Sequence, residues 1–252
     1  MFAIERRSAI LAELSSDGKV VVSDLSRKFG VTEETIRRDI EKLSREGLAT
    51  KTYGGAVSNV SPSSDLPYNV RKRFNVELKQ SVAEKVAAMI NDGDRIMLDA
   101  SSTAIYVTRK IKSKKNITVI TNSVEILLEL ADKTGWTILS TGGTLKEGSF
   151  SMVGVAAERM VREYHVDMCI CSAKGIDGNM GITDSNEKDS QMKQAMFASA
   201  DKKLLAIDSS KFDKISFIKV CDVGDVDIIV TDKAPSEAWQ KRLAEAGVKL
   251  IY

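Results

Sequence analysis

From Arg95 to the C-terminus the sequence alternates short β-branched runs with stretches of helical character, and this limits the fold more than any other feature of the chain. The runs are Ile96 to Leu98, Ile117 to Ile120, Thr137 to Leu139, Val166 to Ile170, Leu204 to Ile207, Ile228 to Val230 and Lys249 to Ile251. Strands connected through helices lie parallel, because a parallel pair needs a crossover, and such strands are buried on both faces. The expectation is an α/β domain whose mostly parallel, Rossmann-like sheet is covered by helices.

Small and polar residues follow these runs: Asp99-Ala100-Ser101-Ser102-Thr103, Thr121-Asn122-Ser123, Thr141-Gly142-Gly143, Ala173-Lys174-Gly175-Ile176-Asp177 and Asp208-Ser209-Ser210-Lys211. Each loop alone is an ordinary turn with helix-capping chemistry. Ligands of open α/β sheets bind outside the carboxyl ends of the strands, so the shared position of the loops predicts one effector pocket. Ser101, Ser102 and Thr103, at the start of a helix, offer hydroxyls and amides to an anion such as phosphate. Lys174 and Lys211 add positive charge, while Asp99, Asn122 and Asp177 suit hydrogen bonds to sugar hydroxyls. Ser123, Gly142, Gly143, Gly175, Asp208 and Ser210 complete the expected effector-binding set.

The N-terminal portion has a different pattern. A short apolar helical stretch (Val22, Leu25, Phe29) runs into a Gly30-Val31 turn and then into Thr32-Glu-Glu-Thr-Ile-Arg-Arg-Asp-Ile40. Thr32 suits a helix N-cap, Glu33 and Glu34 suit its first turn, and Ile36, Ile40 and Leu43 recur at helical spacing as a buried stripe. Arg37, Arg38, Lys42 and Arg45 are left on the other face. Two helices joined by a tight glycine turn, the second presenting its N-terminal half outward, is the geometry that enters a major groove. Leu48 to Val57 then alternates like a hairpin around Gly54-Gly55, as a wing would. The expected DNA-contacting set is Thr32, Glu34, Thr35, Arg37, Arg38 and Lys42 on the helix, with Lys51 and Thr52 of the wing on the phosphate backbone.

Three domains of sequence follow: a winged helix-turn-helix over 1–57, a linker over 58–67, and an effector-binding and oligomerisation domain over 68–252. The linker holds two of the three prolines and four serines, a composition that builds no core. Tyr68 to Ile90 reads as one helix whose Val82, Val86, Ala87 and Ile90 pack inward, with Arg71, Lys72, Arg73 and Lys79 as a solvated charged face. Basic and acidic residues nearly balance, 37 against 35, so the case for DNA is local and not global. Three cysteines and one histidine offer no zinc spacing, and His165 has no catalytic partner pattern; no metal and no cofactor are expected. Cys169 and Cys171 share one face of a strand and read as buried packing. The start of the chain lacks a signal-peptide core and no apolar run spans a bilayer, which predicts a cytoplasmic protein.

In Thr35-Ile36-Arg37-Arg38-Asp39-Ile40 and Gly54-Gly55-Ala56-Val57, residues 1–57 resemble the winged helix-turn-helix of the DeoR family of bacterial transcription regulators. Tyr53 stands where that family usually has histidine. Residues 68–252 are similar to the family's effector domain, itself related to pentose phosphate isomerases. The resemblance runs through Asp99 to Thr103, Thr121-Asn122-Ser123, Thr141-Gly142-Gly143, Gly175-Ile176-Asp177, Gly181-Ile182-Thr183 and Asp208 to Phe212. Ser101 replaces a more usual glycine, and Lys174 a more usual small or acidic residue. What the resemblance implies is a repressor of a sugar operon, relieved by a phosphorylated sugar and binding operator DNA as a homodimer or homotetramer. The alternative is an isomerase-like enzyme with an accessory DNA-binding domain. By the same resemblance the two carboxylate positions of the isomerase strand-end motif fall on Cys171 and Lys174, neither of which supplies a carboxylate base.

Overall fold

The computed structural model describes residues 2–58 and 68–252. The chain divides into two units, Met1–Leu66 and Pro67–Tyr252. The linker expected over 58–67 lies outside the described residues except for Ser58, which closes a strand.

In the first unit, α1 (Ala3–Asp17) leads through β1 (Lys19–Val21) into α2 (Val22–Phe29), α3 (Glu33–Arg45), β2 (Ala49–Thr52) and β3 (Gly55–Ser58). Gly30 ends α2 at φ 63°, a left-handed conformation that glycine adopts without a Cβ penalty. Two residues later the Thr32 side chain accepts the Thr35 N–H and starts α3. Ile36, Ile40 and Leu43 are buried as the spacing predicts, and so are Ile10 and Leu14 of α1 and Leu25 of α2. The strands form an antiparallel sheet in the order β1-β3-β2. Asp39, on the apolar side of α3, is buried and accepts from Arg6 at 2.5 Å and Arg7 at 3.3 Å, tying α1 to α3.

The second unit opens with α4 (Tyr68–Lys72) and α5 (Val76–Ala87). The single helix expected over 68–90 is therefore two. Asn75 breaks it at φ 48°, with its amide reaching Asp208 and Ser210, both at 3.3 Å. Next come β4 (Arg95–Leu98), α6 (Ala104–Lys110), β5 (Thr118–Thr121), α7 (Val124–Leu130), β6 (Thr137–Ser140), β7 (Thr144–Lys146), β8 (Ser151–Val153) and α8 (Val155–Arg162). The chain ends with β9 (Val166–Cys171), β10 (Gly175–Asp177), β11 (Gly181–Asp184), α9 (Glu187–Ala198), β12 (Ala200–Ala206), β13 (Ile218–Cys221), β14 (Ile228–Val230), α10 (Glu237–Glu245) and β15 (Lys249–Ile251).

All seven expected strands lie in one parallel sheet, in the order β15-β14-β12-β9-β4-β5-β6. Successive residues of a strand point to opposite faces, and here both faces are apolar. Met97, Cys169, Cys171, Leu205 and Ile229 pack under α8, α9 and α10. Ile96, Leu98, Ile170, Leu204 and Val230 pack under α5, α6 and α7. From β4 the chain builds outward through β5 to β6, then returns beside β4 with β9 and builds the other way. The strand order thus reverses between β4 and β9, which is where an open sheet leaves a crevice at its carboxyl edge. A smaller antiparallel sheet, β10-β11-β13, and the hairpin β7-β8 are additions that the run pattern did not announce.

Candidate functional site

The first candidate surface is the outer side of α3 and the wing. Thr32, Glu34, Arg37, Arg38 and Lys42 are exposed on α3 and Thr35 is half-buried, while Lys51 and Thr52 are exposed on β2. Arg37, Lys51 and Thr52 line one groove with Tyr53, Gly54 and Gly55, of about 390 Å³. Arg37 and Arg38 are preset along the helix by Glu33 at 2.8 Å and Glu34 at 3.2 Å, exposed pairs four residues apart that cost little to exchange for phosphate. Gly55 lets the wing close: a Cβ there would lie 2.0 Å from the Val20 carbonyl oxygen.

The second is the crevice at the β4–β9 reversal. Asp99, at the end of β4, is buried and spans the reversal, accepting from Ser101 N at 3.1 Å and Ser172 N at 3.0 Å. Its second oxygen also takes the Lys193 ammonium at 2.9 Å, and Lys193 reaches Asp184 at 3.0 Å. Burial disfavours the charged lysine, but Asp184 and Asp99 outweigh it and push Lys193 well above its ordinary value. Asp99 is thus engaged by amides and an ion pair. Ser101 Oγ accepts the Ala104 N–H and starts α6, and Thr103 Oγ1 lies 3.5 Å from Ser172 Oγ. Ser102 is buried beside them. Asn122 and Ser123 follow β5, Ser123 accepting from Ile126 N to start α7.

Asp208, beyond β12, accepts from Ser210 N and from the Ser210 hydroxyl, and with Asn75 it links the crevice to the α4–α5 turn. Lys79 is buried at that turn and donates to the Arg71 carbonyl at 2.6 Å and the Phe74 carbonyl at 2.5 Å. Burial pushes its ammonium down to about 7; Asp208 opposes the shift, and the charges of Lys211, Arg71 and Lys174 add to it. The charged run read as a solvated face is corrected on this point: Lys79 is interior, and Lys72 pairs with Glu125. The burial of Lys79 and Lys193 escaped sequence reasoning because the groups that hold them stand on other segments of the chain.

Two expected site residues lie in a strand, and two follow the edge strand of the sheet. Gly175 and Asp177, read as a strand-end loop, open and close β10, because Ile176 pairs with Ile182 in the antiparallel sheet. The Asp177 carboxylate caps its own turn, and the Met180 and Asn179 amides hold it below the usual range. Gly143 lies past the edge strand β6, where a Cβ would meet Ala157 Cβ and the Val153 carbonyl at 2.8 Å; Gly142 precedes it. Of the thiols, Cys169 and Cys171 are buried with sulfurs 3.5 Å apart, and burial pushes Cys171 well up. Burial, with Asp225 and Asp222, pushes Cys221 up to about 12. Among the described residues no helix is long and apolar enough to cross a membrane.

Residues 74–233 match the DeoR C terminal sensor domain, and residues 6–62 match the DeoR-like helix-turn-helix domain. The sequence is 39% identical over 250 residues to an uncharacterized HTH-type transcriptional regulator of Bacillus subtilis, YulB, covering 99% of this chain and 96% of that one. It is 33% identical over 246 residues to the L-fucose operon activator of Haemophilus influenzae, covering 98% of both. With the HTH-type transcriptional repressor GlcR of Bacillus subtilis it shares 31% identity over 251 residues, covering 100% of this chain and 96% of that one.

Proposed function

The chain belongs to the DeoR family of transcriptional regulators, and on that premise we propose that it is a sequence-specific repressor of a carbohydrate-metabolism operon, released by a phosphorylated sugar. The reading domain is 1–57 and the sensing domain 68–252, joined by 58–67. Thr32, Glu34, Thr35, Arg37, Arg38 and Lys42 face the major groove, and Lys51 and Thr52 hold the backbone.

One observation carries the sensing half: Lys79 is buried at the α4–α5 turn, whose Asn75 reaches Asp208 and Ser210, and its ammonium feels the positive charges of Lys211, Arg71 and Lys174 as well as the Asp208 carboxylate. Burial and neighbouring positive charge disfavour the charged form of Lys79, and an added anion favours it. A phosphate monoester supplies it, with Ser102 and Ser210 as neighbouring donors. The site binds without turnover, since Cys171 and Lys174 occupy the strand end where a proton-transferring carboxylate pair would be needed. No metal or cofactor enters this scheme. The protein works in the cytoplasm as a homodimer or homotetramer, so that paired reading heads match a two-fold operator.

The test is a fluorescence-anisotropy titration with duplex DNA from the gene's own promoter region, repeated across salt and with phosphorylated sugars and sugar alcohols. Affinity is expected to fall steeply with salt, and one of these phosphates to weaken it by about 5- to 150-fold, the usual range of coupling between two sites. Isomerisation of a phosphorylated pentose by a chain indifferent to that DNA would reverse the proposal in favour of an enzyme.

A further inference from the structure

The crevice has a wall made by the β7–β8 hairpin. Two backbone bonds fasten the hairpin to the end of β5: Met152 N donates to the Asn122 carbonyl at 2.7 Å, and Val124 N to the Phe150 carbonyl at 2.9 Å. A third bond runs from Asn122 Nδ2 to the Met152 carbonyl at 3.1 Å. It fixes the orientation of the side-chain amide, because turning the amide over would set oxygen against oxygen. Among the described residues Asn122 Oδ1 then has no hydrogen-bond partner, although the residue is only 4% exposed. Buried acceptors are normally satisfied, and one left open at the carboxyl edge of the sheet calls for a donor from outside the chain.

Ser151, paired with Lys146 across the hairpin and bridged to Ser123, continues the same wall. Its hydroxyl shares a 2.7 Å hydrogen bond with Ser149 and donates to Asp189 Oδ1 at 3.3 Å. Lys146 holds the other Asp189 oxygen at 2.6 Å. Burial opposes ionisation of Asp189, but the Lys193 charge and the Lys146 and Asn186 bonds outweigh it and keep the carboxyl below its usual range. Lys193 in turn holds Asp99, so a chain of buried and half-buried polar groups runs from the β4–β9 reversal to the hairpin. Its groups are fixed in place before any ligand arrives.

We propose that this wall reads sugar hydroxyls: a ligand O–H donates to Asn122 Oδ1, and the neighbouring Ser151–Asp189–Lys146 group exchanges hydrogen bonds with the next hydroxyl along. This rests on the reading of the crevice as a sugar-phosphate site and assigns its two ends, phosphate toward Lys79 and Lys211, hydroxyls toward the hairpin. The ligand class is a polyhydroxylated phosphate monoester. A phosphate without hydroxyls leaves Asn122 Oδ1 as empty-handed as it is in the unliganded chain.

The experiment is calorimetry on the full chain with ribose 5-phosphate, fructose 6-phosphate and glucitol 6-phosphate, each compared with inorganic phosphate. The best of the three is expected to bind at least about tenfold more tightly than inorganic phosphate, and Asn122→Ala to cut that preference by about fivefold, the scale of one lost hydrogen bond. Ser151→Ala, which leaves the Asn122–Met152 bond in place, should cut it in the same direction and serves if Asn122→Ala does not fold. Inorganic phosphate binding as tightly as all three sugar phosphates would overturn the hydroxyl wall and leave the phosphate site standing. Equal weakening of inorganic and sugar phosphates by the substitutions would overturn it as well. If neither inorganic phosphate nor any sugar phosphate binds, the sugar-phosphate reading fails and takes this inference with it.

Discussion

Raising the pH from 7 to 8 should weaken binding of a sugar phosphate to the second unit by about fivefold, and each site that fills at pH 8 should take up nearly one proton. The cause is Lys79, whose ammonium sits at about 7 instead of 10.5 because it is buried, with Lys211, Arg71 and Lys174 nearby. A dianionic phosphate among these groups favours the charged lysine and restores the higher value. The bound state then holds more protons than the unbound one, so affinity is steady below the depressed value and falls as pH rises through it. With half of the Lys79 side chains charged at pH 7 and about one in eleven at pH 8, the drop is about 5.5-fold and the uptake about 0.9 proton. The phosphate contributes little, because a monoester's second ionisation lies near pH 6, roughly two units below the assay. Calorimetry at pH 8 in buffers of different ionisation heat measures the uptake directly. Lys79→Met should remove both the buffer dependence and the pH dependence. Saturable binding by the wild-type chain with no proton uptake at pH 8 would refute the role given to Lys79.

Three further outcomes are expected. Arg38→Ala removes an exposed side chain paired with Glu34, so stability should change by less than about 0.5 kcal/mol, while operator affinity drops and its salt slope shrinks by about 0.9; an unchanged gel-shift titration contradicts the outward face of α3. Gly55→Ala places a Cβ 2.0 Å from the Val20 carbonyl oxygen and should disrupt the β1–β3 pairing and with it DNA binding, so wild-type affinity in that variant would show that the wing tolerates opening. Lys193→Met leaves Asp99 and Asp184 buried without their shared cation and should cost about 3–5 kcal/mol in urea unfolding; a midpoint unmoved from wild type would mean that water already satisfies those carboxylates.

The parts legible in the sequence are those encoded by local period and composition. Ile36, Ile40 and Leu43 announce α3 because a helix repeats every few residues, and Val119-Ile120 or Ile228 to Val230 announce parallel strands because both faces are covered. The loops carrying Asp99, Asn122 and Asp208 follow from the strands they terminate. Long-range charge pairing has no such signature. Nothing local marks Asp39 as buried, because Arg6 and Arg7 close on it from α1. Lys79 and Lys193 look like solvent-facing lysines, since their partners stand on other elements of the fold. The break at Asn75 was hidden too, because asparagine adopts a left-handed conformation more readily than most residues and no proline or glycine marks the spot. Strands of three residues, such as β7 and β8, are too short for alternation to register.

The three native cysteines bear on how the protein can be studied in motion. Alkylating reagents attack thiolates, and here Cys169 and Cys171 are shut inside the sheet while Cys221 stays protonated far above neutral pH. A single cysteine placed on the wing or beside the α4–α5 turn would be the group that a maleimide dye modifies at neutral pH. Fluorescent reporters can therefore follow operator release in a chain that keeps all of its own sulfur atoms.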